Sequence, residues 1–474
     1  MTRAKIVRWA FAAGAVLLAV VAGYRALRQD ARPAAATASA IAPSTPSAVE
    51  AHPMAKTEQG FLYGRITTVD GATYQGRLRW GGDQEAFWGD YFNGSKDGNP
   101  WAAYVPPERL PKERHPIKIF GIEIAQREQP IDLGRLFMAR FSEIARIEAR
   151  GRDVRVTLKS GTAFDLDRFE ASDFDDGVRV WDDRGGVTDL DSLRIRTVEL
   201  LPTARFGAAP YRLHGTVHTR QDDFTGFVSW DREKCVGSDE LDGQTADGEL
   251  KVRFDTLRSI ARRSRDSSLV TLLDGREIVL SGTREVGHGN RGIYVDDRRY
   301  GRVLISWEAF ERVDFSPGGT EGTGPAYGDF PPGRPLTGSV TTRANGRLAG
   351  RLAFDLDESE TTETLDAPSQ GVDYTIPFGL IASIVPAGKE RDTQRARVTL
   401  QDGEELRLEP AGDLGPGNAG ILIFVSGHER PEYVSWSEVE QVDFERPKAT
   451  YPQLGEREVD RGSPGHSGSA VQNH

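Results

Sequence analysis

Val398-Thr-Leu-Gln-Asp-Gly403 decides how this chain is read. An apolar, β-branched run turns at Asp402-Gly403 and returns as Leu406 and Leu408. Asp-Gly between two such runs is a strong short hairpin signal, because glycine accepts a positive φ without steric cost. Further along, Gly420-Ile-Leu-Ile-Phe-Val425, Val434-Ser-Trp436 and Val439-Glu-Gln-Val442-Asp-Phe444 complete a four-stranded pattern. Val270-Thr-Leu-Leu-Asp-Gly275 and Val156-Thr-Leu-Lys-Ser-Gly161 match the opening stretch. Their closing strands are Val313-Asp-Phe315 and Val198-Glu-Leu200.

A second kind of unit precedes each of these. Its openings are Gly64-Arg-Ile-Thr-Thr, Gly215-Thr-Val-His-Thr and Gly338-Ser-Val-Thr-Thr. They lead to Gly76-Arg-Leu-Arg-Trp80, Gly226-Phe-Val-Ser-Trp230 and Gly350-Arg-Leu-Ala-Phe354, and close on Ile147, Ile260 and Ile384. Repetition at this spacing implies small supersecondary units in series, here three tandem pairs or six units. Apolar residues alternate with polar ones, as in Val303-Leu-Ile305-Ser-Trp307, so one face of each strand turns inward. Trp80, Trp230 and Phe354 are expected at equivalent buried positions. The fold class is therefore all-β.

The boundaries follow. Residues 1–32 read as a membrane anchor: Arg3, Lys5 and Arg8 precede a charge-free run from Trp9 to Tyr24. An uncleaved anchor is preferred to a signal peptide, since Ala36-Thr-Ala38 lies beyond Arg25, Arg28 and Arg32. The short basic N-terminus favours the cytoplasmic side, which places the rest in the periplasm, held to the inner membrane by a single pass. Residues 33–58, rich in Ala, Pro, Ser and Thr, form a tether. Pair 1 spans 60–202, pair 2 spans 211–316 and pair 3 spans 334–445. Residues 317–333 are a Gly/Pro-rich linker, and 446–474 a polar tail expected to be disordered.

Pair 1 differs from its siblings by an insertion at about 93–136, with Trp101, Tyr104, His115, Phe120 and several prolines. The preferred reading is a covering flap or a packing surface for the neighbouring pair. The competing one is a partner-facing loop on a rigid scaffold, dispensable for folding.

A hairpin, a second strand pair, a short turn and a last strand resemble the SH3-like or Sm-like small β-barrel. Trp307-Glu-Ala-Phe310-Glu-Arg-Val313-Asp-Phe315 would be the closing turn and strand, with equivalents at Trp436–Phe444 and Leu257–Ile260. The resemblance covers about 60–445. The basic residues by which Sm-like rings hold RNA are not evident at matching positions, so that activity does not carry over. A β-propeller is the alternative architecture.

Chemistry is sparse. Gly287-His-Gly-Asn-Arg-Gly292 matches the dinucleotide fingerprint by letter, but a strand follows it where a helix is required. Gly415-Pro-Gly-Asn-Ala-Gly420 occupies the same place in pair 3, so both read as repeat turns. Gly465-His-Ser-Gly468 lies in the tail, with nothing to hold a base or an oxyanion hole. His214 and His218 share a strand face but sit about 13 Å apart, too far for one zinc. Acids cluster after the aromatic of each first unit: Asp83 and Glu85; Asp231, Glu233, Asp239 and Asp242; Asp355, Asp357 and Glu358. They lack the spacing of a calcium loop and read as solvated turns. Cys235 is the only cysteine, so no intramolecular disulfide forms. No catalytic, cofactor-binding or metal residue is assigned, and no cofactor is expected. The net charge of −11 argues against nucleic acid.

Two functions are expected from this. One is a membrane-tethered envelope scaffold that docks another envelope protein. The other is an enzyme acting on envelope polysaccharide through paired carboxylates, which a cleft lined by close acids would favour.

Overall fold

A computed structural model describes residues 60–81, 84–96, 98–119, 122–130, 133–169, 171–204, 211–316, 326–344, 346–388 and 394–446. The expected anchor (1–32) and tether (33–58) lie outside the described residues, as do 317–325 of the linker and the tail from 447. Among the described residues no helix is long and apolar enough to cross a membrane.

The chain is all-β. Ten, twelve and eight strands form three antiparallel sheets, and a separate hairpin pairs Lys112–Ile119 with Ile122–Pro130. The sole α-helical turn among the described residues is Ser172–Asp175. One order of seven strands occurs in each large sheet. In the first it is Val178–Asp182, Thr73–Trp80, Tyr63–Thr68, Ile195–Leu200, Ile144–Arg150, Asp153–Leu158 and Ala163–Asp167. In the second it runs from Ile293–Asp297 through His214–Thr219 to Glu277–Ser281, and in the third from Ile421–Phe424 through Thr337–Thr342 to Glu405–Leu408.

None of these sheets closes on itself. The expected units of a pair do not sit side by side. The last strand of the second unit, Ile195–Leu200, lies between the first and last strands of the first, Tyr63–Thr68 and Ile144–Arg150. A single closing strand thus satisfies the edge groups of both.

Glycines face each other at the same place in the three regions: Gly64 opposite Gly76, Gly215 opposite Gly226, Gly338 opposite Gly350. A Cβ on Gly64 or Gly215 would fall 2.5 Å from the backbone oxygen of Glu199 or Asp314. Only glycine allows that approach.

Trp80, Trp230 and Phe354 are fully buried, each at the end of the second strand of its region. Trp230 stacks edge-on against Phe310 at 5.3 Å, and Phe354 against Trp436 at 5.5 Å. The regions are joined by strand pairing and by ion pairs. Gly301–Ile305 of the second pairs with Val372–Pro377 of the third, so one sheet runs through both. Arg302 ties the first to the second, bonding Asp296 at 3.2 Å and Asp90 at 3.3 Å.

The insertion is shorter than expected. Tyr91–Lys96 and Arg135–Arg140 pair along their whole length, so the added chain is 97–134, placed in what is a short hairpin turn in the other two regions. Its root packs on the third region: Val105 is buried with Leu356, Leu422 and Tyr433, Trp101 and Tyr104 meet Phe424 at 5.6 and 6.1 Å, and Arg109 bonds Glu438 at 2.9 Å. The end of the expected linker is packed too. Tyr327 is buried against Phe87 and donates its hydroxyl to the Ile144 carbonyl at 2.8 Å.

Candidate functional site

A tight turn follows each buried aromatic: Trp80 bridges to Gln84 in the first region, and the turns of the second and third regions match closely. In Trp230-Asp231-Arg232-Glu233-Lys234 the first and last residues bridge, and Asp231 and Arg232 have φ of 52° and 62°. In Phe354-Asp355-Leu356-Asp357-Glu358 the same bridge forms, with φ of 51° and 50° at Asp355 and Leu356. Left-handed backbone at non-glycine residues costs roughly 1–2 kcal/mol per residue, least at Asp, whose short side chain can bond locally. Here the aspartates bond across to a facing loop: Asp231 accepts from the Arg291 amide at 2.7 Å, and Asp355 from the Ala419 amide. The flanking loops match as well. Asn290 and Asn418 each donate to the carbonyl of an acid, Glu285 or Asp413, and accept from the next glycine amide, Gly292 or Gly420. This is the structural work of the two glycine-rich stretches, and each runs on into a strand.

The charges differ. Around Asp231, Arg284 Nε donates at 2.8 Å, Arg291 reaches Glu233 at 2.7 Å, and Lys234 lies 3.5 Å from Glu285. Asp231, Glu233 and Glu285 are the one acid trio among the described residues whose ligand atoms lie within 4.8 Å of one another. Three basic side chains already answer it, so a metal there would have to displace them.

The third region has none of these cations. Glu358 stands where Lys234 stands, Ala419 where Arg291 stands, and Gly412 where Arg284 stands. Asp355, Asp357, Glu358, Asp366 and Asp413 converge with Glu363 on a cavity of about 400 Å3. The opposite wall is Leu133, Leu136, Phe137 and Met138, from the insertion and its return strand. One cation enters: Lys96, whose side chain is 4% exposed, donates to Asp357 at 2.6 Å and to Glu363 at 2.8 Å. Its burial acts to lower its pKa, but Glu363 and Asp357 outweigh that and leave it raised.

No cation lies within ion-pair distance of Asp355, Glu358, Asp366 or Asp413 among the described residues. Burial, with neighbouring carboxylates adding to it, pushes the Asp355 carboxyl up to about 8. The same causes hold Glu358 and Asp413 well above the usual range and raise Asp366. Asp413 accepts from the Asp366 amide at 2.6 Å, and Asp366 from the Thr375 hydroxyl at 2.7 Å. Glu358 is half-buried, yet its Oε2 is wholly enclosed and has no hydrogen-bond partner.

The other sequence candidates fall apart in space. His214 bonds Ser316 at 3.0 Å, while His218 sits between Asp223 and Asp314. Glu85 is buried against Arg79 and Arg77. Cys235 is buried, which pushes its thiol up. Asp83 and the Gly465–Gly468 stretch lie outside the described residues. The acids after Phe354 are not the solvated turn acids expected from the sequence, because the insertion roofs them. Lys96, Glu363, Asp366 and Asp413 escaped the sequence reading. Aligning the turns position by position, with Lys234 over Glu358 and Arg291 over Ala419, is the signal that would have found this site.

No family model, curated protein or solved structure matches the chain.

Proposed function

We propose that this chain is an interaction protein of the cell envelope, held in the inner membrane by residues 1–32, with its β-region exported. In this reading the three seven-strand orders are tandem pairs of SH3-like units, and they hold one docking recess rigidly. The observation that carries the reading is the acid-lined cavity beneath the insertion. Its size lies in the range of ligand-binding recesses, roughly 300–1,000 Å3. It sits where one strand system meets another, and among the described residues its acids Asp355, Glu358, Asp366 and Asp413 have no cation within ion-pair distance, which favours a basic group on another envelope protein.

A photo-reactive residue at Leu136, which is 80% exposed and lines the cavity, tests it. In intact membranes it should give one recurrent protein adduct, lost when Glu358→Lys supplies the missing charge. Adducts no different from those at exposed Leu273 would overturn the reading.

A second reading has one observation in its favour. Carboxyl groups with raised pKa in a common cavity are what polysaccharide hydrolysis requires of its general acid. Cleavage of envelope glycan by the purified protein, abolished in Glu358→Gln, would favour it over docking.

A further inference from the structure

We infer that the cavity beneath the insertion binds a primary alkylammonium group, a protonated amine on an aliphatic stem. This rests on the cavity being a binding site and names the chemistry it takes.

Four observations converge. Among the described residues no cation lies within ion-pair distance of Asp355, Glu358, Asp366 or Asp413 in the cavity, whereas the matching turn in the second region has three cations. An isolated buried carboxylate is costly, so such groups hold their protons until a positive group enters to compensate their charge. The chain itself shows which positive group fits: Lys96 delivers an ammonium to Asp357 and Glu363, its Nζ 5.2 Å from the Phe164 ring. Beside it, Glu358 Oε2 is enclosed and lacks a donor, and an ammonium brings three. Facing the acids, Leu133, Leu136, Phe137 and Met138 offer an apolar wall for a stem.

A bare divalent ion fits less well. Calcium takes six to eight oxygens at about 2.3–2.6 Å. The cavity acids hold no trio of ligand atoms within 4.8 Å; the trio that does lies in the second region among arginines. A guanidinium is also disfavoured, because its flat fork suits one carboxylate side-on, whereas these acids surround a point.

The arrival of an ammonium has to displace protons. Asp355 and Glu358 on the turn, Asp366 on its strand and Asp413 on the facing loop all have raised pKa values, with Asp357 and Glu363 held by Lys96 from the roof. Affinity therefore rises with pH through about 8.

The test is titration calorimetry on the full chain in detergent. The probes are pentylamine, cadaverine, a capped Ala-Lys-Ala peptide, calcium chloride, and pentanol as the neutral isostere. Pentylamine should bind at pH 8.5, at least tenfold more weakly at pH 6.5, and pentanol not measurably. Glu358→Gln and Asp413→Asn should each weaken the amine at least tenfold, and surface Asp274→Asn should not. Cadaverine binding above the peptide would identify a free polyamine as the source; the reverse would identify a lysine side chain. If the variants misfold, the contrast between pentylamine and pentanol on the unaltered chain still decides. Equal binding of the two, no amine binding, or calcium binding lost in the same variants would each overturn the inference. Amine uptake without any adduct at Leu136 leaves the inference standing and removes the protein-docking reading. Adducts without amine uptake do the opposite.

Discussion

The turns Trp230–Lys234 and Phe354–Glu358 share a bridge, a pair of left-handed residues and an aspartate that pins a facing amide. One is neutralised from within by Arg284, Arg291 and Lys234. The other has lost every one of those positions and depends on Lys96, a residue from another region of the chain. The same left-handed turn backbone can thus carry a closed ion-pair cluster or an open acidic recess. The choice lies in three side chains and in whether a roof is present.

The comparison breaks most readily at Lys96. Lys96→Met leaves Asp357 and Glu363, 15% and 11% exposed, without their shared cation. Removing one partner of a buried pair costs about 3–5 kcal/mol, read as a lower urea midpoint. A loss under about 1 kcal/mol would mean the cavity carries its acids protonated and needs no cation. In the second region the matching change is milder. Arg284→Met leaves Asp231 with the Arg291 amide and side chain, and Arg284 is itself 46% exposed. The expected loss is about 1–2 kcal/mol, that of one charged hydrogen bond. Were Arg284 to cost more than Lys96, the two turns would not differ as described.

A further measurement sharpens the contrast through pH. Asp355 has its carboxyl raised from 3.8 to about 8 by burial, so the folded chain holds that proton more tightly than the unfolded one. Its contribution is full below the ordinary carboxylate range and is lost as pH rises towards about 8. Melting temperature should therefore fall between pH 4 and pH 8, and Asp355→Asn should flatten part of that slope. An unchanged slope would place the cost in other buried acids such as Glu143, whose carboxyl is raised to about 7.

The repeat strands were legible where a period-2 pattern runs into Asp-Gly or Gly, whereas the hairpin Lys112–Ile119 with Ile122–Pro130 was not. Val398–Gly403 reads as a hairpin without help, and Ala396–Leu400 pairs with Glu405–Leu408. The burial of Trp80, Trp230 and Phe354 was legible too, since a large aromatic at the same place in three repeats has one economical location. What local pattern cannot carry is the pairing between distant strands. Nothing near Val198 says that it will lie between Ile66 and Ile147. The site was hidden for the same reason. Asp357 and Glu363 read as ordinary polar positions until Lys96 arrives from the first region to cover them. The root of the insertion, with Trp101 and Tyr104 on Phe424, favours the packing reading of that segment.

The closing strand between two others also bears on how the chain reaches this state. Tyr63–Thr68 cannot complete its sheet until Ile195–Leu200 has been made and has come back to it, and the same delay recurs for His214–Thr219 with Phe310–Phe315 and for Thr337–Thr342 with Val439–Phe444. Such long-range closure makes for slow folding. Until it happens, each half-built sheet shows an unpaired edge to its neighbours, which carry edges of the same kind and hydrophobic pattern. The hazard is exchange of closing strands between regions, and the sequence differences among the three work against it.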